Sequence, residues 1–324
     1  MTSTSDAKSV WRFNHGAIEG MPHFEYAVKF KEIIEKRSNG EIEVKLYGWG
    51  ELGSIAENVE LCQSGGIDFT IGGPALDSTF VPEADVFQIP YLFPKNVETV
   101  KSVLTNKNAQ WFKILSKKYK RTGVILIDYF QEGDQVWTSN KSIRKPDDFK
   151  GLKWRVMNSQ LLIELLKRFG ANPTTLPFGE IYSALQLKVI DGEENSLMAI
   201  RDMKFYEVQD YITFGCPYYL WNTILSSQIF FEKLSDKEKK LLFEAAYESG
   251  DYLWRTFKEK QAEAEADIKN GKPSIHIVRL TDKEIQPFKE LGMPIKDIYL
   301  KNTSEDGKLV YNSLLEEINK ASNN

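Results

Sequence analysis

Between Gly151 and Asn195 the chain alternates short apolar runs with amphipathic helical stretches, and few folds accept that grammar. Residues 152–156, 173–176 and 189–193 read as strands, and residues 158–169 and 178–187 as helices. The run Leu161-Leu162-Ile163-Glu164-Leu165-Leu166-Lys167-Arg168-Phe169 is amphipathic, and Gly170 supplies its stop. Strand–helix–strand–helix–strand predicts parallel pairing in an α/β layer.

The same grammar occurs nearer the N-terminus. Residues 10–16 read as a strand. Met21 to Arg37 reads as a helix, with Phe24, Ala27, Val28, Phe30, Ile33 and Ile34 at helical spacing and Ser38-Asn39-Gly40 ending it. Glu41 to Tyr47 alternates charged and apolar side chains, as a half-exposed strand does. Ser54 to Cys62 reads as a helix and Asp68 to Ile71 as a short buried strand. Two such units in 324 residues predict two lobes of similar architecture.

The rest of the chain divides less cleanly. Val86 to Phe93 is apolar but bounded by Pro82 and Pro94 and interrupted by Pro90, so an extended or edge segment is expected. Val97 to Lys120 reads as helices, and Gly123 to Tyr129 and Gln135 to Thr138 as separate strands. Tyr211 to Phe214 and Thr223 to Ile229 read as strands flanking an irregular 215–221. Ser235 and Glu238 form a capping box opening a helix that extends to Asn270-Gly271, or breaks near Gly250. A strand and amphipathic helices follow Pro273.

Arg155 ends the first strand of the 151–195 segment and Asn195 follows the last. Ligands of open α/β sheets gather outside the carboxyl ends of the strands. A guanidinium there meets a planar anion through two parallel hydrogen bonds. The competing reading is a structural salt bridge from Arg155 to Glu193 or Glu194. Those two glutamates are adjacent in a strand end, so they point to opposite sides and cannot act as paired acid and base.

Gly48-Trp49-Gly50-Glu51-Leu52-Gly53 satisfies G-x-G-x-x-G after a strand and before a helix, with Asp68 twenty residues after Gly48. The preceding strand is half charged, whereas a dinucleotide-binding first strand is buried on both faces. Trp49 also puts bulk where phosphate must approach. His15, His23 and His276 form no metal spacing and no G-x-S-x-G elbow occurs, so no catalytic residue, metal or cofactor is expected. Cys62 and Cys216 read as buried hydrophobes, with a disulfide between them as the alternative. His15, at the end of the first strand, either faces a cleft or is structural. A net charge of -4 gives no footprint for nucleic acid or an anionic membrane, and no apolar run is long enough to span a bilayer.

The segment also resembles the solute-binding subunits of the tripartite ATP-independent periplasmic (TRAP) transporters, the DctP-like family. The matching residues are Pro146 to Val156, Gly170-Ala171-Asn172-Pro173, Glu180 to Gln186, Asp191 to Asn195 and Lys204 to Val208. Upstream, Ser38-Asn39-Gly40, Glu51-Leu52-Gly53, Ser64 to Asp68 and Phe87 to Phe93 follow in order. Each motif is weak alone; their order and spacing over residues 10–320 are specific.

The resemblance implies a two-lobed α/β periplasmic-binding-protein-like fold, each lobe a mixed sheet flanked by helices, with a long helix spanning both. The expected lobes are 10–132 with 222–258, and 133–221 with 259–324. It implies a binding protein, not an enzyme, that captures a small organic anion between the lobes and delivers it to the small and large TRAP permease subunits. The polar Met1–Ser9 run has no apolar signal core and by itself reads as a cytosolic protein or as one whose export signal has been removed; the resemblance implies the second, and a periplasmic location. Arg155 is expected to pair with the ligand carboxylate and Asn195 to hydrogen-bond it, Phe178 to line the pocket and Asn158 to approach polar ligand atoms. Gly16 to Glu19, Gly73-Pro74 and the Tyr219–Trp221 stretch are expected to complete the site from the other lobe, although Tyr219 and Trp221 also suit a core.

One departure stands out. Many members carry a second arginine in a Gly-x-Arg motif, where this chain has Gly133-Asp134-Gln135. Gln135 donates hydrogen bonds but brings no charge, which favours a monoanion, a keto or hydroxy acid or a sulfonate, over sialic acid or dicarboxylates. A ligand-binding sensor domain of a signalling system shares these features, and a dinucleotide-dependent enzyme using Gly48–Gly53 is the remaining alternative.

Overall fold

The computed structural model describes residues 8–323; most of the polar N-terminal run, 1–7, lies outside the described residues. The chain forms two compact units. The first comprises the described residues up to Gly72 with Ser116–Phe130 and Asn222–Thr256; the second comprises Gly73–Leu115, Gln131–Trp221 and the described residues from Phe257 on.

In the first unit, β1 (Ser9–Asn14) pairs in parallel with β2 (Ile42–Tyr47) and with β3 (Phe69–Gly72). β3 runs antiparallel to the 223–226 part of the long strand Tyr211–Ser227. The helix Pro22–Arg37 starts with proline at its first position, where a missing N–H costs nothing. It buries Tyr26, Ala27, Phe30, Ile33 and Ile34 against Trp11, Phe13 and Phe69. It ends where Asn39 and Gly40 take positive φ.

In the second unit, β4 is Val124–Ser139, whose 135–139 part runs antiparallel to β7 (Gly192–Ser196). β7 pairs in parallel with β5 (Lys153–Val156), and β5 with β6 (Asn172–Thr175). The strand Tyr211–Ser227, β8, pairs in parallel with β9 (His276–Arg279). Ser159 caps the helix Gln160–Phe169, and Gly170 closes it in the left-handed region at φ 97°. Side-chain alternation gives the β4–β7–β5 sheet two distinct faces. One carries Trp137 and Trp154, packed with Phe149 (centroids 5.0 and 4.6 Å). Val136 marks the other, with Ile181, Leu185, Phe205, Ala264 and Ile268.

Several expectations are corrected. Residues 86–93 form no strand: Pro82 opens a 3-10 helix, Pro82–Gln88, because a proline at the first turn starts a helix as readily as it edges a strand, and turns and bends follow it. The strands expected at 123–129 and 135–138 are one 16-residue strand. Residues 215–221 continue β8, which joins the strands expected on either side. Block 73–115 belongs with the second unit, where the helix Val97–Thr105 packs on the helix Glu305–Ser322. The helix Asp236–Gly271 is unbroken over 36 residues, contributing to the first unit through Thr256 and to the second from Phe257. Gly250 serves close packing there: a Cβ would lie 3.1 Å from Oδ2 of Asp128. Cys62 and Cys216 are both free thiols.

Candidate ligand-binding site

Arg155 sits in β5 with 5% of its surface exposed, and it is the one lysine or arginine among the described residues that is buried. Its Nε donates to the carbonyl of Leu176 at 3.1 Å. Among the described residues Nη1 and Nη2 make no hydrogen bond, and neither Glu193 nor Glu194 forms an ion pair with the guanidinium. The structural salt bridge that the sequence also allowed is therefore not formed. Burial weakens the guanidinium's hold on its proton, while the charges of Glu194 and Glu193 and the hydroxyl of Tyr218 strengthen it.

The two glutamates occupy opposite faces, as alternation requires. Glu193 accepts from the Thr138 hydroxyl at 2.7 Å through Oε1 and from the Asn195 amide through Oε2. Glu194 accepts from the Trp154 indole at 2.6 Å and adjoins Tyr218. Both are fully buried. Burial raises the carboxyl of Glu193 to about 6, against the pull of its bonds to Asn195 and Thr138. Burial raises Glu194 to about 8, against the nearby Arg155 charge and the Trp154 bond. Burial thus favours the protonated form at both carboxyls, and more strongly at Glu194 than at Glu193.

Trp154 stands beside Gly192 in the β5–β7 ladder, which places Arg155 next to Glu193 on the opposite face. Arg155, Glu193, Asn195 and Thr138 therefore share one face. Gln135, opposite Ser196, falls on the other face with Trp154 and Glu194. Gln135, expected among the ligand-binding residues, thus does not share a face with Arg155. Its amide is nonetheless buried with neither atom hydrogen-bonded.

The remaining expected residues divide. Phe178 is half-buried against Phe205, its ring centroid 5.9 Å away, on the Val136 face. Asn158 and Glu19 are exposed. Trp221 is core: its indole donates to the Phe87 carbonyl at 3.1 Å and its ring packs on Phe93. The Tyr219 hydroxyl donates to the carbonyl of Pro94 at 2.9 Å. Gly73 caps the turn of helix at Pro74–Asp77. Gly73, Tyr219 and Trp221 lie in the same unit as Arg155, not the other, because each follows the 73–115 block or β8 into it.

In the first unit, His15 is buried and follows β1; burial lowers its imidazole to about 4, and Nδ1 accepts from the Ala17 amide at 3.3 Å. Asn14, which sequence reasoning passed over, is buried with both amide atoms unbonded, paired in the ladder with Thr70, whose hydroxyl is also unbonded. The only signal was a polar residue closing an apolar strand. The Gly48–Gly53 loop leads into a helix, Ile55–Gln63, whose first N–H groups are met by a Ser54–Glu57 capping box. A Cβ at Gly53 would meet the Glu57 carboxylate at 2.8 Å, so that glycine accommodates the cap, which already fills the space a phosphate would need.

Residues 13–302 match the family described as bacterial extracellular solute-binding protein, family 7. The chain belongs to this family. Among relatives of this solute-binding protein is the ectoine-binding periplasmic protein TeaA of Halomonas elongata, 33% identical over 306 residues, covering 94% of this chain and 89% of TeaA. Its solved structure, described as part of the TeaABC TRAP transporter, superposes with a TM-score of 0.91 over 96% of this chain and 100% of that one. The ectoine/5-hydroxyectoine-binding periplasmic protein UehA of Ruegeria pomeroyi is 32% identical, covering 90% of this chain and 86% of UehA. A TRAP periplasmic solute-binding protein from Desulfovibrio salexigens with bound orotic acid is 29% identical, with a TM-score of 0.90 over 97% of this chain and 100% of that one. Among the described residues, no helix is long and apolar enough to cross a membrane.

Proposed function

We propose that this solute-binding protein works outside the cytoplasm, captures a small organic acid carrying one negative charge, and delivers it to the membrane subunits of a TRAP-type transporter. The observation that carries the reading is Arg155: a buried guanidinium with both Nη groups unbonded. A fork of donors with its N–H groups unspent is matched by a carboxylate in two parallel hydrogen bonds. The absence of a second buried lysine or arginine among the described residues supports a monoanion, since one buried cation balances one buried anion. The ectoine and orotic acid named for relatives each carry a single carboxylate.

The test is a thermal-shift screen of ectoine, orotate, hydroxy acids, keto acids, sulfonates, dicarboxylates and sialic acid, followed by calorimetry on the hits. Stabilisation by monocarboxylates that is lost in Arg155→Ala supports the reading. Stabilisation by dicarboxylates or sialic acid alone refutes it.

A further inference from the structure

We propose that the exposed face of the helix Gln110–Lys120 is a docking surface for a bilayer of anionic phospholipid, and that it holds the chain loosely against a membrane through charge alone. The inference goes beyond the proposed function and does not depend on which acid the protein binds.

The feature begins in the sequence. From Lys95 to Arg121 the chain carries eight basic residues and one acid, Glu98, a local surplus that the whole chain's net charge of -4 conceals. The helix Gln110–Lys120 itself contains no acidic residue. Its side chains Trp111, Phe112, Leu115 and Tyr119 are buried. Lys113, Lys117 and Lys120, spaced at i, i+4 and i+7, share the outer face, and Arg121 follows them; all four are exposed. Lys120 stands 3.5 Å from Glu232, an exposed pair that water screens. Lys113, Lys117 and Arg121 form no ion pair among the described residues.

Such a face attracts a surface of mobile negative groups. Each lysine or arginine close to an anionic bilayer adds about fivefold to the affinity. A protein partner is disfavoured on two counts. Three of the four residues are lysines, which are depleted from protein interfaces. None of the exposed large hydrophobic side chains among the described residues lies between Lys95 and Arg121, so the face has no anchor for a partner's pocket. With no apolar group to insert, contact stops at the headgroups, so it is reversible and weakens with salt. Loose contact of this kind concentrates a delivering protein near its membrane subunits without fixing it there.

The test is flotation of the full, ligand-free chain with vesicles of phosphatidylglycerol and phosphatidylcholine in equal parts, and with vesicles of phosphatidylcholine alone. At about 10 mM salt, where charges are felt over roughly 30 Å, the wild type is expected to float with the first and not with the second. Raising the salt to about 150 mM, where that reach is roughly 8 Å, is expected to weaken binding by at least about tenfold. Lys113→Gln/Lys117→Gln/Lys120→Gln/Arg121→Gln is expected to lose binding, and Lys117→Gln alone to weaken it about fivefold. No flotation of the wild type with the anionic vesicles at low salt overturns the proposal.

Two controls separate this face from its rivals. Lys45→Gln/Lys237→Gln/Lys283→Gln/Lys301→Gln removes as many charges from exposed lysines elsewhere and is expected to retain most of the binding. A loss equal to that of the helix variant would show that overall charge decides, and overturns the proposal. Phosphatidylcholine vesicles bearing the TRAP membrane subunits test the protein alternative. Wild-type binding to these that the helix variant loses, with no wild-type binding to anionic vesicles, makes the face a protein contact and overturns the lipid reading. Circular dichroism, and calorimetry with a carboxylate from the thermal screen, are expected to match the wild type in both variants, so that a vesicle result is not a folding result. Failure of the acid screen refutes the proposed ligand and leaves the vesicle results standing.

Discussion

The indole nitrogen of Trp154 donates to Oε2 of Glu194 at 2.6 Å, with both side chains fully buried. The bond crosses from β5 to β7, and the residue that permits it is Gly192. Trp154 and Gly192 are neighbours in the ladder, and the six-membered ring of Trp154 lies over the place a Cβ would occupy. Gly192 was read from the sequence as part of a motif; its physical role is to leave room for a ring.

Gly192→Ala is accordingly expected to be among the most damaging single-methyl changes in the chain. The new Cβ would fall 2.5 Å from the Thr138 carbonyl as well as into the Trp154 ring. A backbone atom and a packed indole cannot both yield, so a loss of about 3 kcal/mol is expected, at the upper end for overpacking. Urea unfolding measures it, and a change below about 1 kcal/mol would show that Trp154 is free to move.

Glu194 makes stability depend on pH. Its carboxyl is raised by burial from the ordinary 4.5 to about 8. Between those values the folded chain holds a proton that the unfolded chain has released. The stability attributable to Glu194 is therefore complete below about 4.5 and declines as pH rises through 8. His15 acts oppositely and at lower pH, since burial holds it neutral to about 4. Melting temperatures of the wild type and Glu194→Gln, measured from pH 5 to 8.5, separate the two. The variant, which has no proton to lose, is expected to gain on the wild type steadily toward pH 8.5; parallel curves would count against a buried protonated Glu194.

The helical and parallel-strand parts of the second unit were legible because their signals are local. The apolar repeat of 161–169, the Ser159 cap and the Gly170 stop all lie within a dozen residues. Residues 215–221 were not legible, because Gly215 and Pro217 look like breakers. In the fold, Leu280 occupies the space beside Gly215, and the Pro217 carbonyl accepts from the amide of Tyr91. Both contacts come from residues more than 60 positions away. The site divides in the same way. Arg155 and Asn195 stood out as polar residues at strand ends, and the alternation of Glu193 and Glu194 followed from strand geometry. The hold of Thr138 on Glu193, 55 residues apart, depends on a register no local pattern specifies.

For Arg155, alanine and lysine variants are both expected to lose ligand affinity by about 2–5 kcal/mol, the usual result of truncating one side of a buried charge pair. Lysine fails because an ammonium cannot reproduce a planar fork. The fold is expected to survive, since Arg155 makes a single hydrogen bond, to the Leu176 carbonyl. Calorimetry with a carboxylate found by the thermal screen is the measurement, with circular dichroism as the folding control. Wild-type affinity in Arg155→Ala would remove this residue from the site.

Gln135 gives the last prediction, because its amide is buried with both atoms unbonded. A buried polar group without partners costs roughly 1–3 kcal/mol. Gln135→Met keeps the length and removes the polar atoms, so the ligand-free variant is expected to melt higher than the wild type by an amount worth about 1 kcal/mol. Because Gln135 stands on the sheet face opposite Arg155, ligand affinity is expected to be unchanged in the same variant. Higher stability together with weaker binding would instead show that a ligand bonds the buried amide and would place Gln135 in the site.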